Sequence, residues 1–351
     1  MKQTQFQSVI NQYDYHLPET LIAQAPVRPR DTAKLLVFDR KTEKTQFNNF
    51  VNLGGFLPKN AVLVFNQTKV LPARFLVQKS TGGIAELLFL RKKSSRIFVL
   101  ANKPIHGVVT CLNLHKQPTA YKLLVLNKHQ GEYELKPIKF KKDFLTVLQK
   151  LGITPLPPYI KHSPLNEKQK RQEYQTIFAK TGQAVAAPTA SLHFTRSLIR
   201  KLKQQGITIK FIRLDVGLGT FASLKTENFI HNQLHSEYYA INKSTAKFLN
   251  LAKRHKRPII AVGTTVVRTL ETATNPLGHL QALTGTSNLF IRENYKFKFI
   301  DGLITNFHVP KSSLMMLVGS LVGRTTLLKL YHKAILKKFR FFSFGDGMLI
   351  K

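Results

Sequence analysis

The sequence predicts an α/β fold: a mixed-sheet α/β main domain interrupted by a small inserted β-barrel domain. Strand-like and helix-like segments alternate in both the first and the last part of the chain, which is typical of a parallel or mixed sheet. Between them, short β-rich runs follow one another without helical periodicity, as in a small barrel or sandwich. We therefore expect a discontinuous main domain of residues 1–73 and 153–351 and an inserted domain of residues 74–152.

The first part of the chain contains two predicted strands. KLLVFD at residues 34–39 has strand character, and AVLVFN at residues 61–66 is almost wholly apolar, as expected for a strand buried on both faces. The second strand ends in the polar run NQTK, at a position where α/β sheets tend to bind ligands. In the insert we predict short strands at residues 75–78, 85–90, 96–100, 107–112, 122–126 and 132–135.

A proline-rich connector, TPLPPY at residues 154–159, leads back to the main domain. Helical patterns follow at residues 167–181, 195–205, 243–255, 264–274, 312–322 and 325–338. Strands are predicted at residues 208–216, 258–262, 288–291 and 340–344. This alternation predicts that the sheet of the main domain is largely parallel or mixed.

Composition excludes several classes of protein. A chain of 351 residues with 43% hydrophobic residues is not largely disordered and has room for roughly two or three domains. Its one cysteine, Cys111, excludes a disulfide framework, and no C-x-x-C metal motif exists. Without an apolar signal-peptide core or a bilayer-length apolar run, we expect a cytoplasmic protein that does not bind membranes.

The charge is strongly positive. Lys and Arg number 54 and Asp and Glu 18, giving a net charge of +36. Such an excess indicates a polyanionic partner, and nucleic acid is favoured over lipid because no amphipathic anchor stands out. A lysine-rich proteome is the alternative explanation.

Polar motifs follow several predicted strands and turns. The run AAPTASLHFT at residues 186–195 combines small residues with Thr189 and His193, and a ligand can approach such a backbone closely. A helix-entry turn with a half-buried structural histidine is the alternative. Gly217 and Gly219 in VGLGT follow another strand, where a plain glycine turn would look the same.

Further motifs carry groups suited to anion binding and proton transfer. AVGTTVVR places Thr265 and Arg268 at a helix N-terminus, which accepts anions or ribose hydroxyls. A strand–helix connection with a surface arginine would give the same pattern. LHSE contains His235, Ser236 and Glu237, whose spacing suits acid–base chemistry better than zinc binding. Two more candidate segments are TNFHVPKS, with Asn306, His308 and Lys311, and the GDG turn, with Asp346.

Taken in order, these motifs span nearly the whole chain. They are YDYHLPETLIAQAPVRPRD, FNQTKVLPAR, TGGIAELL, PLPPYI, EYQTIFA, VAAPTASLHFT, VGLGTF, HSEYY, AVGTTVVRTLE, TGTSNLFI, DGLITNFHVPKSSLMMLV and RFFSFGDGMLI. The ordered set resembles the S-adenosylmethionine:tRNA ribosyltransferase-isomerase family of queuosine biosynthesis.

The resemblance implies a reaction and a fold. Such enzymes transfer the ribosyl part of S-adenosylmethionine to the aminomethyl group of a 7-deazaguanine base at the tRNA wobble position. The ribose is isomerised to give epoxyqueuosine, and adenine and methionine are released. The implied co-substrate is S-adenosylmethionine, with no permanently bound cofactor or metal, and the implied fold is an α/β domain interrupted by a β-barrel. The implied partner is the tRNA anticodon stem-loop, without an obligate protein partner, and a monomer is expected.

The resemblance also suggests roles for the candidate residues. Proton transfer would fall to His193, His308, Glu237 and His235, with His193 or His308 as the base near the 5′ carbon. Substrate binding would involve Thr189, Ser236, Gly217, Gly219, Thr265, Arg268, Asn306, Lys311 and Asp346. Phosphates of the tRNA would contact Arg28, Arg30, Lys69 and Arg74, and also Lys311.

Some positions depart from the family pattern, and two other functions compete. Asp215 stands where the family usually has histidine, and Gln67 and Lys69 replace the usual Asp and Arg of an N-D-T-R run. An S-adenosylmethionine-dependent RNA methyltransferase is one alternative, although no G-x-G-x-G loop follows a first strand. A non-catalytic basic tRNA-binding protein is the other, suggested by the replaced residues.

Overall fold

The structure is a computed structural model that describes residues 3–129, 131–138, 140, 142–217 and 224–351. Within these residues the chain forms a nine-stranded sheet, a closed six-stranded barrel and a separate two-stranded sheet. Both parallel and antiparallel pairs occur in the large sheet. The predicted fold class, a mixed α/β domain with a β-barrel inserted, is confirmed.

The described helices are α1 Gln3–Asn11, α2 Phe144–Leu151, α3 Glu167–Glu173, α4 Arg196–Gln204, α5 Thr226–Ile230, α6 Lys243–Arg254, α7 Thr264–Ala273, α8 Ser313–Val322 and α9 Arg324–Leu336. The strands up to the barrel are β1 Lys34–Phe38, β2 Thr45–Asn49, β3 Val62–Asn66 and β4 Thr68–Val70. The barrel strands are β5 Arg74–Gln78, β6 Ile84–Lys93, β7 Arg96–Ala101, β8 Val108–Leu112, β9 Pro118–His129 and β10 Glu132–Ile138. The later strands are β11 Thr181–Ala184, β12 Thr208–Leu214, β13 Gln233–Ala240, β14 Ile259–Val262, β15 Thr284–Leu289, β16 Gly302–Asn306 and β17 Gly347–Ile350.

The large sheet brings the candidate motifs to one edge. Its strand order is β15-β13-β12-β3-β14-β16-β17-β1-β2. The neighbours β12, β3, β14 and β16 are parallel, so their carboxyl ends meet at the same edge. All of β3 is buried, as its apolar sequence predicts, because apolar side chains cover both faces of the sheet. This edge is where α/β sheets place ligand sites.

The barrel is a packed, all-antiparallel structure. In β5 the side chains alternate between buried and half-buried positions, so Phe75 and Val77 fill the interior. Helix α2 contributes Phe144 and Leu148 to the same apolar cluster. The Asp143 side chain caps this helix by accepting a hydrogen bond from the Leu145 amide at 2.9 Å. The helix therefore belongs to the core of the barrel.

Helices α8 and α9 form a bent pair around Gly323. Gly323 has a φ of 82°, a conformation that glycine adopts without steric cost. The helices meet at an angle of 108°, and most residues of α8 are buried in the main core. Among the described residues, no single helix has the length and apolarity to cross a bilayer. The bent pair α8–α9 reaches the length and apolarity of a bilayer span only when both helices are counted together.

Among the elements whose bounds differ from the prediction, three in the later part of the chain are instructive. The helix predicted at residues 167–181 ends at Glu173, because Tyr174 is buried and the Gln175 side chain pairs with the backbone of Val70. The last strand is β17 rather than residues 340–344, since Phe342 adopts a left-handed φ of 69° that breaks an extended strand. The strand predicted at residues 288–291 is β15, which begins at Thr284 and ends at Leu289.

Candidate active site

A cleft of about 460 Å³ opens at the carboxyl edge of the parallel strands. Residues 186–190, 263–265, 305–314 and 342–343, together with Tyr159 and Val216, form most of its walls. A cavity of this size matches those that enclose small-molecule substrates. The cleft therefore joins segments that are far apart in sequence, and several of them are the motifs singled out above.

One wall is the N-terminus of α7. Strand β14 ends at Val262, and Gly263 turns the chain into the helix with a φ of 97° that favours glycine. Thr264 and Thr265 line the cleft in the first helical turn, where backbone N–H groups have no partner within the helix. The Thr265 hydroxyl also lies 3.4 Å from the Asn66 side-chain amide at the end of β3. This wall is rich in hydrogen-bond donors and suits an anionic or hydroxylated ligand.

Asn306 forms the floor of the cleft at the end of β16. Its side-chain nitrogen contacts His193 Nε2 at 3.3 Å and the backbone carbonyl oxygens of Phe342 at 3.1 Å and Asp346 at 3.4 Å. Its side-chain oxygen is buried and has no hydrogen-bond partner among the described residues. Because acceptors surround the nitrogen, the orientation of the amide is fixed.

His193 lies behind Asn306 and does not line the cleft. Its ring stacks on Phe50 with centroids 4.1 Å apart and planes inclined by 12°. Burial lowers the pKa of His193 to about 3, with further contributions from the positive charges of Arg340 and Arg30. The ring is therefore neutral at neutral pH, and its contact with the cleft passes through Asn306.

His308 lines the cleft directly. Its Nε2 lies 3.2 Å from the Thr305 hydroxyl, its backbone N–H donates to the Tyr331 hydroxyl at 2.9 Å, and its carbonyl accepts from Tyr15 at 2.5 Å. Burial lowers the pKa of His308 to about 3, so this imidazole is also neutral. The ring is held at the cleft surface by the Thr305 hydroxyl at Nε2 and by the Tyr331 hydroxyl, 3.5 Å from Nδ1.

Two other predicted binding residues line the same cleft. Thr189 contributes from the small-residue segment, and Lys311 contributes from the loop before α8. The Lys311 ammonium pairs with Asp14 at 2.8 Å and keeps 40% of its side chain exposed. With Thr265, Asn306 and His308, these residues form the part of the predicted site that the fold brings together.

Glu237 and Arg268 form a buried ion pair behind the cleft wall. Their side chains are 2% and 7% exposed, and Arg268 also contacts the Ser287 carbonyl at 3.3 Å. The other Glu237 oxygen accepts the backbone N–H of Gly217 at 2.9 Å, next to Val216 of the cleft wall. The pair therefore acts on the backbone of this segment rather than on the cavity, and Gly219 lies outside the described residues.

The remaining predicted residues of the catalytic and binding set lie away from the cavity. His235 and Ser236 are exposed on β13 and do not line the cleft. The buried Asp346 carboxylate accepts the backbone N–H groups of Lys34 at 2.9 Å and Arg340 at 2.7 Å. Burial raises the pKa of Asp346. Asp346 reaches the site only through its carbonyl, which contacts Asn306.

Most of the predicted phosphate contacts are already engaged. Arg28 and Arg30 both pair with the buried Glu173, but the Arg28 side chain is 63% exposed and that of Arg30 only 16%. Arg74 lies 3.7 Å from Glu86. Lys69 is exposed, and it has no ion pair within the part of the chain that the structure describes.

Asp215, the departure from the family pattern, lies in a compact polar cluster. It accepts hydrogen bonds from the Thr68 hydroxyl at 2.6 Å and from Arg213 Nε at 3.0 Å. A side chain at Gly182 would meet Asp215 and Thr68 at 2.5 and 2.4 Å. The aspartate therefore links β4 to β12 and leaves no room for a side chain at Gly182 of β11.

Aromatic residues are the part of the site that sequence reasoning missed. Tyr159 and Phe342 line the cleft, and Tyr15 and Tyr331 hold His308. The motifs YDYH, PLPPYI and RFFSFGDG contain Tyr15, Tyr159 and Phe342, but aromatic residues in such runs usually belong to the core, and Tyr331 lies in no motif. Among the described residues, no group of three or more His, Cys, Asp or Glu is arranged to hold a metal ion.

Comparison with known proteins gives a consistent result. The family described as queuosine biosynthesis protein matches residues 10–350. The S-adenosylmethionine:tRNA ribosyltransferase-isomerase of Fusobacterium nucleatum is 40% identical over 354 residues, covering 100% of this chain and 99% of that relative. The enzyme of the same name from Carboxydothermus hydrogenoformans is 43% identical over 342 residues, covering 97% and 99%.

A solved structure extends this likeness to the fold. The crystal structure of the S-adenosylmethionine tRNA ribosyltransferase from Thermotoga maritima has 30% sequence identity to this chain and a TM-score of 0.55. The match covers 97% of this chain and 100% of that one. Sequence and fold therefore agree along the full length, and the chain belongs to the queuosine biosynthesis protein family.

Proposed function

We propose that this chain is an S-adenosylmethionine:tRNA ribosyltransferase-isomerase. It transfers and isomerises the ribosyl part of S-adenosylmethionine onto the 7-aminomethyl-7-deazaguanine base of tRNA, with adenine and methionine as the other products. The single observation that carries this proposal is the cleft of about 460 Å³, in which Thr189, Thr265, Asn306, His308 and Lys311 meet from separate segments. The full-length likeness to enzymes of this name supports the same conclusion.

His308 is the residue we assign to proton transfer at the 5′ carbon. A neutral imidazole accepts a proton, and His308 is neutral because burial lowers its pKa to about 3. A lowered pKa also makes His308 a weak base, so the acidity must come from the substrate. The sulfonium supplies it, because its positive charge acidifies the adjacent methylene.

His193 is assigned a positioning role. It lies behind Asn306, with Nε2 at 3.3 Å from the Asn306 side-chain nitrogen, and it does not line the cleft. Its ring, stacked on Phe50, holds the amide in place and thereby shapes the cleft floor. Asn306 and the N-terminus of α7, with Thr265, offer polar groups to the sugar hydroxyls or the methionine carboxylate.

The Glu237–Arg268 pair also acts through the backbone. Glu237 accepts the Gly217 N–H at 2.9 Å and so orients the segment that follows Val216. Proton transfer by Glu237 would require breaking a buried ion pair, which is costly. His235 and Ser236 are exposed on the same strand and are better placed for RNA than for the cleft.

The tRNA partner is an anticodon stem-loop, whose unpaired wobble base can be presented without opening a duplex. The net charge of +36 provides attraction for the phosphates. Lys69 is exposed, and Arg28 and Lys311 keep 63% and 40% of their side chains exposed despite their ion pairs, so these three cations can contact phosphates. Glu173 holds Arg30 at only 16% exposure. We propose that residues 74–152 form the inserted domain, and that the protein acts in the cytoplasm without an obligate protein partner.

Product analysis tests the function. The protein is incubated with S-adenosylmethionine and tRNA carrying the deazaguanine precursor, and adenine, methionine and the modified base are quantified. Release of adenine equal to the base converted supports the proposal. S-adenosylhomocysteine as the product would indicate a methyltransferase, and tRNA binding without any turnover would indicate the non-catalytic alternative.

A further inference from the structure

Phe342 has an unusual backbone conformation in the cleft wall. Its φ is 69°, in the left-handed region that a bulky side chain rarely adopts. Among the described residues, the other non-glycine positions with positive φ are polar or charged, namely Glu43, Asn60, Ser94, Lys116, Asn232, Lys256, Asn294, Lys311 and Lys338. Strained residues concentrate at ligand sites, where the surrounding structure holds them. Phe342 is therefore a candidate for a function beyond packing.

The surrounding structure fixes Phe342 in this conformation. Its carbonyl accepts hydrogen bonds from the Asn306 side chain and from the Gly345 backbone N–H, each at 3.1 Å. Gly345 is packed so tightly that an added side chain would lie 2.5 Å from the Arg340 carbonyl oxygen. Phe342 lines the cleft, and the residue is 6% exposed. Phe342 thus borders the cavity while most of its side chain packs in the main apolar core.

Tyr159 completes an aromatic wall with Phe342. The ring centroids are 4.7 Å apart with planes inclined by 51°, and both residues line the cleft. The Tyr159 hydroxyl is 2.7 Å from the Ser343 hydroxyl, which anchors its ring to the segment that carries Phe342. The polar Thr264 and Thr265 lie on the α7 wall of the same cleft. The cleft is thus built with an aromatic wall and a polar wall.

This division matches the chemistry of an adenosyl group. A purine has two aromatic faces that stack on Phe and Tyr rings, whereas the ribose and the amino-acid tail need hydrogen bonds. We propose that the Tyr159–Phe342 wall stacks against the adenine ring of S-adenosylmethionine and positions its glycosidic bond in the cleft. The inference rests on the proposed function for the identity of the substrate. It assigns the adenine subsite to two aromatic residues that are absent from the predicted catalytic and binding set.

Adenosine binding without tRNA tests the wall directly. Equilibrium dialysis with radiolabelled adenosine is carried out on the full chain and on Phe342→Gly, which removes the ring and also relieves the positive φ. Loss of one base stack is expected to weaken adenosine binding by about 10- to 100-fold. Phe342→Tyr, which keeps an aromatic ring, is expected to bind within a few-fold of the parent. The control Lys338→Gly relieves a positive φ outside the cleft lining and should leave binding unchanged.

The outcomes separate this proposal from the proposed function. Unchanged adenosine affinity in Phe342→Gly, with a raised KM for tRNA, would overturn the adenine assignment and place an RNA base at the wall. If the parent binds adenosine through Phe342 but releases no adenine from S-adenosylmethionine and tRNA, the enzyme assignment fails while the subsite stands. Tyr159→Leu is a second test variant, for which we expect a smaller loss of adenosine affinity than for Phe342→Gly. Thermal unfolding shows whether each variant is folded. Parent-like adenosine affinity in a folded Tyr159→Leu would exclude Tyr159 from the subsite.

Discussion

Replacing Glu237 with alanine should destabilise the main domain strongly and move the cleft wall. The substitution leaves Arg268 buried without its carboxylate partner, since the Arg268 side chain is only 7% exposed. Removing one member of a buried ion pair costs about 3–5 kcal/mol, because the remaining charge is desolvated without compensation. It also removes the acceptor of the Gly217 amide, which adds to the loss.

Thermal unfolding followed by circular dichroism or calorimetry measures the effect. At roughly 2–4 °C per kcal/mol for a domain of this size, the unfolding midpoint should fall by about 6–20 °C. The matched variant is the double substitution Glu237→Leu with Arg268→Met, which replaces both charges by apolar groups of similar length. Because the unpaired charge is then absent, its midpoint should lie well above that of Glu237→Ala.

Enzyme kinetics supply an independent readout. The double variant should remain folded but lose activity, since Gly217 no longer has a carboxylate to hold it beside Val216. An unfolding midpoint for Glu237→Ala within about 2 °C of the parent would contradict this prediction, since burying an unpaired arginine should lower the free energy of unfolding by more than that. A double variant as unstable as the single one would also contradict it.

The other predictions concern the histidines, the RNA and the polar cluster. His308→Ala should lower kcat by about 10²- to 10⁴-fold, whereas His193→Gln should act mainly on KM; equal losses of kcat in both would refute the separate roles. The free energy of unfolding should fall as the pH drops from about 6.5 towards about 3. In this range the imidazoles of His193 and His308 bind protons in the unfolded state but stay neutral in the folded state. The slope, up to about 1.4 kcal/mol per pH unit for each histidine, should be shallower in His193→Gln, and a parent-like slope would refute the buried-neutral assignment. With roughly three phosphate contacts, tRNA affinity should fall about 40-fold between about 50 and about 200 mM salt, and a flat response would remove the electrostatic argument. Asp215→Ala should destabilise by about 1–3 kcal/mol in urea unfolding, because Thr68 and Arg213 lose their acceptor, and an unchanged midpoint would show that the cluster is not structural.

Much of the fold could be predicted because local patterns and tertiary packing agree. The apolar run at β3 is buried throughout, and Thr195 caps α4 by accepting the Leu198 amide, as its position before a helical pattern predicts. Strands β2, β4, β11, β13 and β16 were not predicted, and β13 and β16 show why. β16 is short and lies within the sequence DGLITNFHV, and β13 is polar and mostly exposed, so neither has a clear period-two pattern.

The candidate site was only partly predictable, because a sequence shows which side chains are present and not which way they point. His193 and His308 look equivalent in their motifs, yet His308 lines the cleft whereas His193 lies behind Asn306. Arg28 and Arg30 resemble free cations in sequence, and only the fold brings Glu173 from a distant helix against them.

The amino-acid sequence on its own determined the α/β class, the barrel insert, the basic character and the family, since periodicity, composition and ordered motifs are properties of the chain itself. Tertiary structure alone decided which polar groups face the cavity and which form hydrogen bonds or ion pairs with neighbouring residues. It also revealed the left-handed Phe342 in the wall with Tyr159, residues separated by about half of the chain. The physical reason is that hydrogen-bond partners, burial and backbone strain depend on contacts between distant segments, which no local pattern specifies.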